Sequence, residues 1–214
     1  MRIKMTNGWL IFSIMSVFTL FFALNVYSQY NGECWATDYL NAVKISGGKA
    51  EKFSGFSQPL SISINPNDGS VWVADTDAVR IKKLSSTGKL LLNIDKGLDS
   101  QPITIAVDPK DGSCWAGTET TLYKFSSDGK QILTKSGFNE PILVVNPKNS
   151  ECWIADSNNA RIVKLSPEGK ELAEITVEGL SQPKSISINP NDGTCWVLDP
   201  FSMNVFKLSA DGKV

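Results

Sequence analysis

From Glu33 onward the chain alternates short apolar runs with clusters of Asn, Asp, Gly, Pro and Ser, the pattern of strands separated by turns. Ile62 and Ile64 alternate with Ser61 and Ser63 and run into Asn65-Pro66-Asn67-Asp68-Gly69, a turn in which each residue type has its own backbone reason to be there. Val71–Ala74 reads as a second strand, rich in residues that fit a pleated surface. Arg80–Leu84 reads as a third strand, Ser86-Thr87-Gly88 as a hairpin turn and Lys89–Ile94 as a fourth strand. No window after Gln29 keeps a 3.6-residue period, so no helix is expected there.

The pattern recurs. Trp35, Trp72, Trp115, Trp153 and Trp196 are separated by 37, 43, 38 and 43 residues, and a period near 40 is the signature of a repeat architecture. Pro59, Pro102, Pro141 and Pro183 each stand 12 or 13 residues before a Trp. The nine residues Ser61–Gly69 recur unchanged as Ser185–Gly193. Each unit closes on Lys, an apolar residue and Ser, followed by Gly-Lys, as in Lys83-Leu84-Ser85 with Gly88-Lys89 and Lys164-Leu165-Ser166 with Gly169-Lys170. A four-stranded sheet alone cannot bury both faces, whereas radial stacking covers each face with a neighbour. The expected fold is therefore all-β, a β-propeller of antiparallel four-stranded blades. Five units are visible. The first is expected to begin at its second strand, Glu33–Asp38, and the last to stop at the start of its fourth, giving 18 strands and an incomplete propeller.

The N-terminal segment differs in kind. Arg2 and Lys4 precede an apolar run from Trp9 to Val26, centred on Leu10–Leu24. This is the basic and apolar layout of a signal peptide over residues 1–28, with Val26-Tyr27-Ser28 before a cleavage point at Gln29. An uncleaved signal anchor is the other reading, since the run approaches bilayer-spanning length. Either places residues 29–214 outside the cytoplasm, secreted, periplasmic or in the envelope, with membrane contact only through an uncleaved N-terminal segment.

Composition narrows the chemistry. The 214 residues carry a net charge of −1. Without Arg2 and Lys4, 19 basic residues face 22 acidic ones, a balance of −3. Neither suits nucleic acid, which needs a basic face. There is no histidine, which removes Ser-His-Asp and Cys-His catalysis and histidine-bound metals. Cys34, Cys114, Cys152 and Cys195 each directly precede a repeat Trp, with Val71 in that slot of the second unit. Equivalent positions in stacked sheets lie roughly 10 Å apart, beyond the ~7 Å that a disulfide spans. The four are expected to be free, buried small hydrophobes. Asp38, Asp75, Asp156 and Asp199 follow the second strands at matching places. They are expected to accept backbone N–H groups in the following loops; the alternative is a rim of carboxylates that binds a cation.

Pro59–Leu84 and Pro141–Leu165 resemble the NHL repeat family of β-propellers, with a Pro-led strand, an Asn-Pro turn, an aromatic strand ending Ala-Asp, and Asp156-Ser157-Asn158-Asn159-Ala160-Arg161-Ile162 close to the family signature. The resemblance covers about Glu33 to Val214. The third unit departs from it, with Gly117-Thr118 in place of Ala-Asp, and the fifth, Asp199-Pro200-Phe201, lacks the Asn-Arg loop. Propellers host many functions. Lyases of this type, acting on streptogramins or peptidyl-hydroxyglycine, rely on histidine, so the resemblance carries no such activity to this chain. It leaves a non-catalytic binding or sensing module for a protein or glycan. The alternatives are a lactonase-like hydrolase with an oxygen-bound calcium in the channel, calcium then being its cofactor, and a structural envelope protein. Binding residues are expected on the rim loops. Phe201 and Met203 are the apolar candidates, either for a ligand or for packing under a following blade; Arg80 and Arg161 either pair with carboxylates or carry a surface patch.

Overall fold

The computed structural model describes residues 26–30 and 32–213, with side chains from Gly32 onward. Of the signal peptide or anchor expected over residues 1–28, residues 1–25 lie outside them. The described chain is five antiparallel sheets in sequence order. The first holds β1 (Val26–Tyr30), β2 (Glu33–Thr37), β3 (Asn41–Ser46) and β4 (Lys49–Ser54); the second holds β5 (Pro59–Ile64), β6 (Val71–Asp75), β7 (Arg80–Leu84) and β8 (Leu90–Ile94). The third holds β9 (Thr104–Val107), β10 (Cys114–Gly117), β11 (Thr121–Phe125) and β12 (Gln131–Ser136); the fourth holds β13 (Pro141–Val145), β14 (Cys152–Asp156), β15 (Arg161–Leu165) and β16 (Glu171–Ile175). The fifth has three strands, β17 (Ser185–Ile188), β18 (Cys195–Asp199) and β19 (Asn204–Leu208). The only helical piece among the described residues is one turn of 3-10 helix at Ser157–Asn159.

The first sheet is thus complete, against the expectation that it starts at its second strand. Val26–Tyr30 pairs with β2, Val26 opposite Ala36 and Tyr30 opposite Glu33. This strand runs through the expected cleavage point after Ser28. It was hidden in the sequence because it adjoins the largely apolar run from Trp9 to Val26 and was read together with it.

The turn signals behave as their chemistry dictates. In the second sheet the Asn65 and Gly69 amides donate to Ser70 O and Asn65 O at 2.7 and 2.9 Å. The Asn65 and Asp68 side chains accept the Asn67 and Ser70 amides. The same closed turn recurs at Asp108, Asn146 and Asn189.

Successive sheets pack face to face, with their first strands side by side. Because side chains alternate between faces, each sheet shows its Trp on one face and its Cys or Val slot on the other. Trp35 and Ala42 pack on Val71, Val73 and Leu84. Trp72, Ala74 and Ile81 pack on Ile105, Cys114 and Phe125. Trp115 and Leu122 meet Cys152, Ile154 and Leu165, and Trp153 and Ile162 meet Cys195, Val197 and Leu208. These four Trp are fully buried.

Two polar latches and one apolar cover repeat at these interfaces. Lys44, Lys83, Lys124 and Lys164 reach across to a turn carbonyl of the following sheet, at Ser86, Ser127, Pro167 and Ala210, over 2.8–3.0 Å. The last three of these ammonium groups sit 4.6–5.3 Å from the ring centroid of their own sheet's Trp, in cation–π contact. Nearer the axis, Ser61 and Ser63 accept the Ile105 and Val107 amides at 3.0 and 3.1 Å, and Thr104 accepts the Leu143 amide. At the outer end the hairpin glycines lie under an apolar side chain of the preceding sheet. A Cβ on Gly169, at φ +84°, would come within 2.0 Å of Leu133. Among the described residues the sheets follow one another without closing, since β17 and β1 do not pack as neighbouring first strands do.

The four cysteines are free and lie in four different sheets. Burial pushes the Cys114 and Cys152 thiols far up and that of Cys195 up to about 12. A thiol reagent at neutral pH is therefore expected to leave Cys114, Cys152 and Cys195 unmodified in the native protein and to label all four in denaturant without reductant. Fewer than four in denaturant would mean that a disulfide forms.

Candidate functional site

The candidate surface is the rim where the second strands end and the first strands begin. The loops leaving the second strands are Tyr39-Leu40, Thr76–Val79, Glu119-Thr120, Ser157–Ala160 and Pro200–Met203, so they differ in length and in residue type. Each is anchored by a carboxylate. Asp75 accepts the Ser57 amide at 2.5 Å and Arg80 Nε at 2.6 Å. Asp156 accepts the Asn139 amide and Arg161 Nε, both at 2.7 Å. Both carboxylates are fully buried. Asp199 accepts four amides, from Ser181, Gln182, Phe201 and Ser202. Burial raises its pKa, but these four amides outweigh that and hold the group below the usual carboxylate range. At Asp38 burial is likewise outweighed, by the Leu40 amide, Lys52 and Asn41, and the pKa falls to about 2. The following loop supplies backbone donors, as the sequence pattern implied, at Asp38 and Asp199; at Asp75 and Asp156 the backbone amide comes from the preceding loop instead.

Arg80 and Arg161 are held by these same groups. Their guanidinium ends also donate to Gly55 O and Gly137 O, at 3.1 and 2.9 Å, and Arg161 pairs with Glu174 at 2.7 Å. Of the two readings left open for them, pairing with carboxylates is the one the geometry realises.

The third sheet builds its anchor differently. Thr118 and Thr121 occupy the places of Asp75 and Arg80, and the carboxylate comes from the preceding loop. Asp99 accepts the Thr118 and Thr121 hydroxyls at 2.8 and 2.5 Å, while its own amide donates to Tyr123 Oη at 2.9 Å. Asp99 was not singled out in the sequence. Its signal is the loss of Asp from the strand end together with an acid just before Ser100-Gln101-Pro102.

On the axial side of these anchors the rim is polar. Gln101 donates to Asp77 at 3.2 Å, Gln182 to Asn158 at 2.8 Å and Lys184 to Glu140 at 2.8 Å. Ser100, Gln101, Ile103, Glu119 and Glu140 line an open depression of about 340 Å³. Gln58 and Glu140 carry positive φ, 49° and 52°, directly before a proline, a backbone region that non-glycine residues occupy at a cost of about 1–2 kcal/mol. Among the described residues no three Asp, Glu or Cys side chains converge as a metal site requires.

Phe201 and Met203 are 65% and 90% exposed. Phe201 stands where Asp77 and Asn158 stand in their loops, and those two receive the Gln101 and Gln182 side chains of the following sheet. The four sequence candidates therefore do not form one site: Arg80 and Arg161 clamp separate sheets, and Phe201 and Met203 lie on the loop of the fifth.

No family profile matches the chain, nor does any curated protein. Solved structures do. The streptogramin B lyase structure has a TM-score of 0.79 and 19% identity, covering 89% of this chain and 66% of that one. The chain has a β-propeller fold. A catalytically inactive histidine-to-alanine variant of virginiamycin B lyase from Staphylococcus aureus, with quinupristin, gives a TM-score of 0.76 at 19% identity, over 88% of this chain and 67% of that one. The structure of a nidogen/laminin complex gives 0.71 at 17%, over 88% of this chain and 77% of that one. This propeller segment thus spans about two thirds of the length of the lyase structures. Its structural likeness extends to an enzyme and to a member of a protein complex alike.

Proposed function

We propose that the chain is the scaffold of an exported, NHL-type binding propeller whose rim docks a protein partner. The observation that carries this reading is the contrast between positions. The inter-sheet latches repeat from unit to unit, down to nine identical residues at Ser61–Gly69 and Ser185–Gly193. The rim loops differ in length and chemistry, from Tyr39-Leu40 through Thr76–Val79 and Glu119-Thr120 to Pro200–Met203. Varied loops on a rigid, repeated frame are how such frames present binding residues. A protein suits the rim better than a glycan, because Trp35, Trp72, Trp115 and Trp153, the large rings that would stack on sugars, are wholly buried.

The likeness to streptogramin B lyase supports a second, enzymatic reading. Against it, the inactive variant of virginiamycin B lyase is a histidine replacement, and these 214 residues contain no histidine. Both readings meet in one experiment. The wild-type protein and a variant with Asp77, Gln101, Glu119 and Asn158 replaced by alanine are used to capture proteins from the native envelope. A partner whose capture falls at least tenfold with the variant supports the rim. Equal capture by both overturns it, and opening of a streptogramin ring by the wild type overturns the non-catalytic reading.

A further inference from the structure

The lysine latches differ in their electrostatics. Besides a turn carbonyl, Lys44 and Lys164 each meet a carboxylate, Glu33 at 2.8 Å and Glu151 at 3.2 Å. Each acid stands two residues before the Trp of its sheet, and each lysine stands opposite that Trp. By alternation all three side chains share one face. In the second sheet the acid's place is taken by Ser70, and in the third by Ser113. Lys83 and Lys124 form no ion pair among the described residues. Both are nonetheless buried, at 7% and 3% exposure, and a buried charge is costly unless something pairs with it.

The third sheet brings negative charge from elsewhere. Buried Asp108 holds the turn position that Asn65 holds in the second sheet. Burial pushes the Cys152 thiol up, Lys124 pulls it down and Asp108 pushes it up again, so ammonium and carboxylate both act on this one interface. At the matching thiol of the second interface, Cys114, burial pushes up and Lys83 pulls down, with no acid acting against it. The acids of the flanking turns, Asp68 and Asp128, are exposed; Asp68 accepts the Ser70 amide and Asp128 the Ser126 hydroxyl. Lys83 is thus a buried ammonium whose neighbours are Ser127 O at 2.9 Å and the Trp72 ring, 5.2 Å to its centroid. The Ser70 hydroxyl is buried and meets no protein partner. A serine ends well short of the point that a glutamate carboxylate reaches from the same slot, so that point lies between Ser70 Oγ and the Lys83 ammonium, and both groups can donate a hydrogen bond to what occupies it.

We propose that the interface between the second and third sheets binds a small monovalent anion of chloride size, held between Lys83 Nζ and Ser70 Oγ in the place that the Glu33 and Glu151 carboxylates fill in their own sheets. The anion does for Lys83 what those carboxylates do for Lys44 and Lys164: it neutralises a buried charge and gives the ammonium a second acceptor. Lys83 keeps Ser127 O, so the ion strengthens the latch onto the third sheet. The site lies between packed sheets, which admits a halide and excludes a bulky organic anion. It is separate from the rim loops and does not rest on the rim reading.

Thermal unfolding of the purified protein in sodium chloride and in sodium gluconate of equal ionic strength tests it, beside Ser70→Glu and Lys83→Met. Ser70→Glu brings its own carboxylate to the slot, and Lys83→Met has no charge to neutralise, so both report the general effect of exchanging the salts. The expected result is a wild-type midpoint raised by chloride at least about 2 °C more than that of either variant, the scale of one bound ion in a chain of this size. Crystals grown with bromide need no variant, and should show an anomalous peak within hydrogen-bonding distance of both Lys83 Nζ and Ser70 Oγ. A chloride effect equal in the wild type and the two variants overturns the proposal. So does a bromide crystal without that peak, in which a water would serve the Ser70 hydroxyl instead.

Discussion

Replacing Trp115 by alanine is expected to cost about 3–5 kcal/mol of stability, the range for truncating a fully buried aromatic side chain. The ring is at 0% exposure and packs between the third and fourth sheets with Cys152, Ile154 and Leu165. Its loss also removes the surface on which Lys124 rests, 5.3 Å from the ring centroid, while that ammonium reaches Pro167 O. In a stack where each sheet touches only its neighbours, stability is approximately a sum of sheet and interface terms. A damaged inner interface therefore weakens the link between the sheets on either side. Trp196 is the internal control: it has the same residue, slot and lysine, but is 45% exposed. Trp196→Ala is expected to cost about half as much, roughly 2 kcal/mol, in proportion to the smaller apolar area it buries. Urea unfolding of both variants at low protein concentration measures the difference. Equal losses at the two positions would show that Trp burial between sheets is not what holds the stack together.

That contrast also marks how far the sequence could be read. The repeat, the strand order and the burial of three of the four cysteines followed from spacing, because slot equivalence survives translation from one unit to the next; Cys34, in the first sheet, is only partly buried. Which Trp is covered did not follow, since it depends on whether a neighbouring sheet is present and not on any residue near Trp196. The lysine latches were visible only as a Lys-apolar-Ser motif. Their purpose needed the register between sheets, which places Lys124 opposite a carbonyl 43 residues on. Strand β1 was concealed by the apolar run of sequence beside it. Asp99 escaped because the third unit moves its carboxylate from strand to loop, and a search for matching positions finds only the gap. The rim candidates were the least legible. For Arg80 and Arg161 the sequence left pairing with a carboxylate and a surface patch both open, and only the strand register shows that each is held by a buried Asp of the adjacent strand.

Those buried pairs give the second large effect. Asp156→Ala is expected to destabilise the protein by about 3 kcal/mol, near the lower end for breaking a buried ion pair by removing one partner. Three donors lose their acceptor: the Asn139 amide, Asn159 Nδ2 at 2.9 Å and Arg161 Nε. The cost stays toward the lower end because Arg161 is 25% exposed and keeps Glu174 and Gly137 O. Asp156→Asn retains an acceptor for the Asn139 amide and is expected to lose about half as much. Arg161→Leu and the double variant complete a double-mutant cycle, in which a coupling of at least about 1 kcal/mol is expected for groups in direct contact. The third sheet shows why the cycle is informative. There the strand ends carry Thr118 and Thr121, and the loop is tied by Asp99 through hydroxyls alone, with no ion pair at that place. A loop can thus be anchored without the arginine. If the measured coupling is near zero, the anchor in the fourth sheet is likewise the carboxylate with its backbone amide, and Arg161 only covers it. A coupling at or above the expected value makes the ion pair itself the clamp that fixes Ser157–Ala160 on the rim.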